Sequence, residues 1–479
     1  MSHFQIFLLL FIALFYVISC DVTCPTSHIT ASGTWPSGAQ NPVDLPNNFD
    51  CQLQFDIPDG FIFKLTTTAY YKGDGLIFLS DAKKVYNIPV GVSSYTIPAK
   101  NATLSIATKD TKVSFLAYYV FYDVRNYTQN AMKTGDYLSL RYKENSYTTF
   151  TSQTDQVALS YATSTYHDTT AGMTYVYDGS DLSAPYLGVL SDFTDPVAPI
   201  VSTGRSISIV NFDYFNWLTQ STYVLANDYK TLSPFTSYQL LVTDGYHPVQ
   251  ISAKGTNLTA YTIINANFIE SLTFNSVNPE ETLNFVPMTP THKMMPVVSF
   301  THDNYQNNIF PYRIPAQMFS ITIQNADISL KMNSSLGEQW LTAQAGRKIM
   351  IYSRSVWNPQ ESSEISTNEA FFKSSTVYKF SLTSSFLNIA SPGGKLHFDV
   401  KYSDGKPVLD RDYQCDNNQD SCVKNTTTPA IGKGTACSVT YDGTNPKSLI
   451  FAQIDILENG VGQIGWLFGI AISLFYLTK

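Results

Sequence analysis

Residues 59–66 read DGFIFKLT, and this short stretch sets the pattern for most of the chain. Phe61–Thr66 is dense in aromatic and β-branched residues, which suit the pleated surface of a β-sheet. The Asp59-Gly60 pair before it tolerates the positive φ angles of tight turns. A turn followed at once by such a run is typical of a β-strand after a chain reversal.

The same combination recurs along the chain. Asp-Gly pairs begin at residues 59, 74, 178, 244, 404 and 442. Further strand-like runs are Val113–Tyr122, Met173–Tyr177, Ser206–Val210 and Ser320–Ile323. Only a few stretches, such as Leu336–Ala345, have a helix-compatible composition. The pattern predicts an all-β protein of serial β-sandwiches or jelly rolls, with little helix outside the two ends of the chain.

Length and composition predict several folded domains. The chain has 479 residues, of which 44% are hydrophobic and 14% charged, so it is not of the disordered class. Single cores seldom grow beyond about 250–300 residues. We therefore divide the chain into a first unit at 21–124, a second at 125–232, and two further β-rich units at 233–345 and 346–458.

The N-terminus predicts entry into the secretory route. Phe4–Ile18 is apolar except for Gln5 and is too short for a comfortable membrane span. It predicts a signal peptide over residues 1–19, with cleavage before or after Cys20. A retained N-terminal anchor is the alternative. We therefore expect this chain to act outside the cell.

The C-terminal run Ile464–Leu477 has two interpretations. Residues 459–479 fit a glycolipid (GPI) anchor signal, with Asn459 or Gly460 as the attachment site and a hydrophobic tail that is removed. A single-pass helix needs about 20 apolar residues and a basic flank, whereas here only Thr478 and Lys479 follow the run. The length argument favours the lipid anchor. We expect a protein on the extracellular side of the plasma membrane, in raft-like membrane, or otherwise secreted.

The cysteines predict disulfides but not a disulfide framework. Six cysteines occur, at positions 20, 24, 51, 415, 422 and 437. Cys24 and Cys51 share the first unit and an oxidising compartment, so we predict that they pair. Cys415, Cys422 and Cys437 form a trio in the last unit whose pairing stays open. No histidine lies near the trio, which disfavours a metal site.

Charge and motifs exclude several function classes. The net charge is −8 and no Lys/Arg cluster occurs, so we expect no nucleic-acid partner. The chain has no Gly-x-Ser-x-Gly elbow, zinc-protease motif, phosphate-binding loop or Gly-rich dinucleotide turn. His167-Asp168 and His302-Asp303 are the only His-acid neighbours, and we interpret both as surface polar pairs. We predict no catalytic residues, no cofactor and no enzymatic activity.

Sequons for N-glycosylation are present. They lie at Asn101, Asn126, Asn257, Asn333 and Asn425. In the secretory lumen exposed sequons are usually modified, so we predict a glycoprotein.

Two groups of residues resemble a known family. In the first unit they are Cys24-Pro25, Gly33-Thr34-Trp35-Pro36, Leu45-Pro46, Asn48-Phe49, Cys51 and Ile57-Pro58-Asp59-Gly60. In the second they are Tyr175–Ser180, Ala184–Gly188 and Ser202–Ile209. The first set looks like the nematode CUB-like domain, and the second is similar to a CUB domain. Residues beyond 232 match poorly. The resemblance implies a jelly-roll β-sandwich ectodomain and, for the nematode family, a role in innate immune and stress defence.

The resemblance also raises the question of a calcium-binding site. Many CUB domains bind calcium through carboxylates at one end of the sandwich. Where such an Asp is expected in the second unit, the chain has Gly172. In the first unit Asp74 stands in the comparable place, although an ordinary turn residue is the simpler interpretation. Apart from this calcium candidate, we expect no metal.

Two classes of function remain. In the first, the chain is a non-catalytic surface protein that binds an extracellular glycan, a protein or a microbial surface. In the second, it is a secreted hydrolase or inhibitor whose site the sequence does not display. A structural surface-coat protein is a third possibility. The 31 tyrosines suit stacking on glycans and suit sandwich cores equally well.

Overall fold

The computed structural model describes most of the chain between residues 22 and 459. The exceptions are 74–75, 142, 165–168, 194, 196–197, 214–220, 244–246, 255–257, 277–279, 307–309, 337, 360–369, 391–394, 415–420, 424–425 and 443–448. Outside the described residues lie the predicted signal peptide, Cys20, Asp74, Asn257, Cys415, Asn425, Gly460 and the C-terminal apolar tail. Within the described part, no helix has the length and apolar character needed to cross a membrane.

The all-β prediction is confirmed, and the first group of strands forms two facing sheets. The strands are β1 (Gly33–Trp35), β2 (Val43–Asp44), β3 (Asp50–Asp56), β4 (Phe61–Tyr71), β5 (Ile77–Ser80), β6 (Val85–Asn87), β7 (Gly91–Ile97), β8 (Asn101–Ala107) and β9 (Val113–Asp123). One sheet has the order β1-β9-β4-β7, with β2 also on β9, and the other β3-β8-β5-β6. Residues of β3 alternate between exposed and buried, so that Cys51, Leu53 and Phe55 enter the core.

The second group repeats this arrangement. Its elements are β10 (Thr128–Lys133), β11 (Tyr137–Ser139), β12 (Ser146–Thr151), β13 (Val157–Thr163), α1 (Thr170–Met173), β14 (Thr174–Tyr177), β15 (Tyr186–Val189), a 3-10 turn (Leu190–Asp192), β16 (Ile200–Val201), β17 (Ser206–Asn211) and β18 (Thr222–Asp228). The two sheets have the orders β10-β12-β17-β14-β15 and β11-β18-β13-β16. Strand β10 runs parallel to β12, and the other pairs are antiparallel.

The third group follows directly. Its elements are α2 (Tyr229–Leu232), β19 (Ser237–Val242), β20 (Val249–Ala253), β21 (Thr259–Ile264), β22 (Phe268–Phe274), β23 (Thr282–Pro287), a 3-10 turn (Pro290–His292), β24 (Val298–Phe300), α3 (His302–Tyr305), β25 (Tyr312–Arg313), β26 (Met318–Gln324) and β27 (Ile328–Asn333). The sheets have the orders β19-β21-β26-β23-β24 and β20-β27-β22-β25.

These three groups share one strand order. When strands are matched by their position along the chain, the sheet order β3-β8-β5-β6 of the first group corresponds to β12-β17-β14-β15 of the second and β21-β26-β23-β24 of the third. The facing sheets, β2-β9-β4-β7, β11-β18-β13-β16 and β20-β27-β22-β25, correspond in the same way. The second and third groups each begin with a strand parallel to its neighbour, β10 and β19. The counterpart in the first group is a single parallel bridge between Ile29 and Phe55. The third group therefore has the topology of the first, although its sequence matches poorly.

The fourth group differs in how its layers are joined. Its elements are α4 (Glu338–Leu341), β28 (Lys348–Tyr352), α5 (Arg354–Trp357), β29 (Ala370–Ala390), β30 (Lys395–Lys401), β31 (Pro407–Gln414), β32 (Ser421–Val423), β33 (Thr426–Asp442) and β34 (Leu449–Glu458). They form one seven-stranded sheet of order β28-β34-β29-β33-β30-β31, with β32 on β29.

The long strand β29 explains this single sheet. Its residues 370–373 pair with β33, whereas residues 378–388 pair with β34 on one side and, over 378–384, also with β33 on the other. In the second group these two pairings belong to separate strands, β12 and β13, in opposite sheets. Register shifts interrupt the pairing between Lys373 and Tyr378, and such bulges bend a strand. Four separate sandwiches were expected, but in the last unit the two layers are continuous.

Two of the Asp-Gly pairs lie at strand reversals, as predicted. Asp178-Gly179 lies between the antiparallel neighbours β14 and β15, and Asp404-Gly405 between β30 and β31. Asp59-Gly60 instead carries the chain from β3 in one sheet to β4 in the other, with Gly60 at a φ of +80°. The helix-compatible stretch Leu336–Ala345 contains the short helix α4.

Hydrophobic clusters join each unit to the next. Ile62 and Val124 of the first unit share a buried cluster with Phe212 of the second. A further cluster combines Leu225 of the second unit with Leu240 of the third. Tyr352, Trp357 and Phe451 of the fourth unit belong to the main core of the third. The junctions are therefore packed interfaces rather than open linkers.

Candidate functional site

A cavity of about 440 Å³ lies where the third unit meets the fourth, and we call it the arginine pocket. Its lining includes Asn265, Asn267, Phe268, Arg313, Gln317 and Arg354. The first five belong to one end of the third sandwich, and Arg354 opens helix α5 of the fourth unit. A volume in this range accommodates a small organic ligand.

The strands of the third unit place the polar side chains around this cavity. Arg313 pairs with Phe268 across β25 and β22. The backbone N–H of Asn265 donates to the Gln317 carbonyl at 2.8 Å, which holds two connecting loops together. Asn265 has a φ of +66°, a left-handed conformation that Asn tolerates better than most residues.

A tyrosine pair brings the two arginines together. The hydroxyls of Tyr312 and Tyr352 lie 2.6 Å apart in a buried hydrogen bond between the third and fourth units. Arg313 follows Tyr312 directly, and Arg354 comes two residues after Tyr352. The bond therefore fixes the backbone on both sides of the pocket, and the guanidinium groups come from positions 41 residues apart in the sequence.

The two guanidinium groups are close enough to repel each other. Burial lowers the pKa of Arg313, and the positive charge of Arg354 lowers it further. Both side chains are half-buried. Within the described part of the chain, neither guanidinium forms an ion pair or a hydrogen bond. Charged groups removed from water normally have a partner of opposite charge. These two guanidinium groups lack one among the described residues, so an anion bound between them would be stabilised.

Arg347, close by, shows the contrasting case of a guanidinium used by the fold. It donates to the carbonyls of Trp340 at 3.0 Å, Thr342 at 2.7 Å and Pro311 at 3.2 Å. Burial lowers the pKa of Arg347 to about 10. Carbonyl groups already surround this charge, so its role is structural.

The outer face of the first unit carries exposed aromatic residues. Tyr118 is 53% and Tyr122 39% exposed on β9, and Tyr70 is 53% exposed on β4. Tyr118 lies opposite Thr66, whose hydroxyl is 3.2 Å from that of Ser94. The Tyr118 ring, flanked by these hydroxyl groups, forms a surface on which a sugar ring can stack and make hydrogen bonds, whereas the Tyr122 ring has the Lys64 ammonium 5.5 Å from its centre.

The predicted disulfide is present. Cys24 and Cys51 are joined, with their Cα atoms 5.5 Å apart. Cys437 is a buried free thiol, so it takes no part in a disulfide in this structure. Burial raises the pKa of Cys437, and the nearby Asp399 raises it further. Cys415 and the side chain of Cys422 lie outside the described residues.

The sequons differ in accessibility. Asn101 and Asn126 are exposed, whereas Asn333 is half-buried at the end of β27. The Asn333 side-chain oxygen accepts a hydrogen bond from the Ser334 N–H at 2.8 Å. The candidate anchor residue Asn459 is exposed. Asn257, Asn425 and the calcium candidate Asp74 cannot be placed, because they lie outside the described residues. Gly172 lies in helix α1.

Histidine–acid contacts occur on the surface. His302 Nδ1 lies 3.4 Å from the Asp303 carboxylate, while His167 and Asp168 lie outside the described residues. The sequence interpretation missed a cluster on β30 and β31, in which His397 Nδ1 is 2.6 Å from Asp412 and 3.6 Å from Asp410. The alternating polar residues of these strands were the available signal.

That cluster has the residue types of a metal site but already contains a cation. Its ligand atoms lie within 4.8 Å of one another. However, the Lys395 ammonium lies 2.8 Å from the second oxygen of Asp412. Together with His397, Lys395 holds the pKa of Asp412 below its usual range. We interpret the cluster as an ion-pair network across a hairpin.

Comparison with known families identifies the N-terminal unit. Residues 18–125 match the model of the CUB-like domain, so the chain carries a CUB-like domain at its N-terminus. No curated protein matches the chain significantly.

Solved structures of CUB proteins are among the structural matches. The CUB1-EGF-CUB2 domain of human MASP-1/3 aligns at 12% identity and a TM-score of 0.15, covering 40% of this chain and 98% of that one. The CUB1-EGF-CUB2 domains of rat MASP-1 align at 9% identity and a TM-score of 0.16, covering 46% and 99%. Superpositions at these TM-scores carry no inference about this chain.

Proposed function

We propose that this chain is a non-catalytic binding protein of the extracellular surface, related to the nematode CUB-like proteins. The observation that carries the proposal is the exposed tyrosine face of the N-terminal CUB-like domain. This face lies on a rigid sheet and offers stacking area with hydroxyl groups beside it, which suits a glycan on a host or microbial surface.

The proposal extends the CUB-like character to the second unit. Its sheets repeat the strand order of the first, and the same order recurs in the third. Packed junctions between consecutive units would hold several binding faces in fixed relation. Such an arrangement favours multivalent capture of a repetitive surface, because linked sites raise the effective concentration.

The proposed place of action is the outer leaflet of the plasma membrane. There the chain would be held by a lipid at Asn459 or Gly460 and enriched in rafts, with a role in innate immune or stress defence. It would then act by capture or display, since a lipid-anchored protein has no cytoplasmic part. Release of the full-length protein from intact cells by phosphatidylinositol-specific phospholipase C, next to a known lipid-anchored control, tests the anchor. Protein level in infected against uninfected animals tests the defence role.

Binding is tested with the purified full-length protein on a glycan array and on whole microbial cells. We expect saturable binding that the double variant Tyr118→Ala, Tyr122→Ala weakens about tenfold or more. Tyr402→Ala is the matched control, because Tyr402 is a 38% exposed tyrosine of the fourth unit. Equal losses in both variants, or no saturable binding at all, would contradict the proposal.

A further inference from the structure

We propose that the arginine pocket binds an acidic saccharide, whose carboxylate pairs with Arg313 and Arg354. This inference rests on the proposed function, because it takes the ligand to be a glycan. The arginine pocket lies between the third and fourth units, whereas the tyrosine face belongs to the first.

Charge is the first reason. Two guanidinium groups that repel each other sit half-buried with no anionic partner among the described residues. A planar carboxylate accepts paired N–H bonds from a guanidinium, and these charge-assisted bonds are among the strongest in proteins. Binding one anion between the two groups would satisfy both and remove their repulsion.

The rest of the lining is the second reason. The amide side chains of Asn265, Asn267 and Gln317 carry donors and acceptors suited to the hydroxyl groups of a sugar. Phe268, which packs on Trp340 at a centroid distance of 5.4 Å, adds an aromatic wall. A purely inorganic anion would use the guanidinium groups and leave this wall and these amides without a role.

Preorganisation is the third reason. The Tyr312–Tyr352 hydrogen bond and the backbone bond between Asn265 and Gln317 hold both sides of the pocket before any ligand arrives. The Asn267 side chain donates to the Ser334 carbonyl at 3.1 Å, which keeps its oxygen available as an acceptor. A site built in this way loses little freedom on binding.

The experiment compares sugars that differ only at one carbon. Glucuronate and glucose, and galacturonate and galactose, are titrated into the full-length protein by calorimetry, with inorganic phosphate as a further probe. We expect saturable binding of at least one uronate and at least tenfold weaker binding of its neutral counterpart. Equal binding of the neutral sugar, tighter binding of phosphate, or no binding of any uronate would overturn the inference.

Variants separate a binding role from a structural one. Arg313→Gln and Arg354→Gln are each expected to weaken uronate binding about tenfold or more. The melting temperature should be unchanged or higher, because either substitution removes one of two repelling charges. Arg141→Gln, at an exposed arginine of the second unit, is the matched control and should bind normally. A lowered melting temperature together with unchanged binding would overturn the inference.

The outcome is independent of the tyrosine face. If the double variant Arg313→Gln, Arg354→Gln keeps its array and microbial binding while uronates fail to bind the wild type, only the pocket inference falls. If array binding is absent but uronates bind with the expected arginine dependence, the pocket stands and the proposed tyrosine face falls.

Discussion

Lys64 of the first unit reaches across to the second, where its ammonium donates to the Phe212 carbonyl at 2.8 Å and lies 3.1 Å from the Asp213 carboxylate. Asp213 also accepts from the Thr96 hydroxyl at 3.2 Å. The Tyr175 hydroxyl of the second unit donates to the Thr96 carbonyl at 3.2 Å. These polar bonds surround the apolar cluster that contains Phe212, so the two units are oriented as well as joined.

Lys64→Gln should loosen this junction. The Lys64–Asp213 pair is about one-third exposed. Its loss is expected to lower the free energy of unfolding by roughly 1–3 kcal/mol, a value between those of fully exposed and fully buried ion pairs. Small-angle scattering should show a larger radius of gyration. Lys100→Gln is the control, since its pair with Asp59 is 83% and 87% exposed and should contribute almost nothing. Equal effects of the two variants would contradict the junction role.

Removing the disulfide should destabilise the first unit. The double variant Cys24→Ala, Cys51→Ala opens a loop with a sequence separation of 27, which corresponds to about 3.5 kcal/mol of chain entropy in the unfolded state. Denaturant unfolding measures the loss. In the native wild type, peptide mapping after alkylation without reduction should recover neither cysteine modified, and recovery of either as a free thiol would contradict the bond.

Gly60→Ala should be costly for two separable reasons. Gly60 has a φ of +80°, and an added Cβ would collide with Cγ of Arg125. Arg125 cannot move freely, because its guanidinium pairs with Asp123 at 2.6 Å and lies 4.9 Å from the centre of the Phe61 ring. We expect a loss of about 1–3 kcal/mol in urea unfolding.

Gly405→Ala is the matched control for this substitution. Gly405 has nearly the same φ, +83°, but a Cβ there would meet nothing within 4 Å. Gly405→Ala should lose only the free energy of unfolding that a side chain at a positive φ costs. If the two variants lose equal stability, contact with Arg125 contributes nothing.

His292 should make folding sensitive to acid. It lies at the junction of the second and third units, where its ring packs against Gly135 and its Nδ1 is 2.9 Å from the Thr289 hydroxyl. Burial lowers the pKa of His292, and the Asp136 charge opposes this in part. The unfolded chain therefore binds the proton more readily than the folded one. Stability is complete above the ordinary histidine pKa of about 6.5 and decreases as the pH falls through it.

The measurement for His292 is melting temperature between about pH 7.5 and pH 5. His292→Asn keeps a hydrogen-bonding group near the position of Nδ1 and should flatten the decrease. His302→Asn, at a histidine outside the junctions, is the control. An unaltered slope in His292→Asn would contradict the assignment.

Local features were the most predictable from sequence. Phe61–Thr66 lies in β4 and Ser320–Ile323 in β26, because β-branched and aromatic residues both favour strands and fill the cores. Asp178-Gly179 marks a hairpin as predicted, although neither residue has a positive φ there. A glycine is needed instead because an added Cβ would collide with the Cβ of Ala184. Burial on alternate positions then follows from the two-residue period of a strand.

Features that depend on distant residues were not predictable. Arg313 and Arg354 come together through the packing of the fourth unit on the third, which includes the Tyr312–Tyr352 hydrogen bond, and no spacing in the sequence signals it. The strand order of the third unit repeats that of the first without similar residues, since many sequences satisfy the same alternation of buried and exposed positions. The joining of two strands into β29 likewise depends on the absence of a turn, which composition alone does not reveal.

The position of β34 has a mechanical consequence. This strand ends at Glu458 and is paired on one side with β28 and on the other with β29. A pull along the strand axis, applied to the chain beyond Glu458, loads both rows of backbone hydrogen bonds in shear. All of these bonds must then stretch together rather than open one at a time. Tension on the C-terminal side of the sheet is thereby spread over three strands, and through the length of β29 into both layers of the last unit.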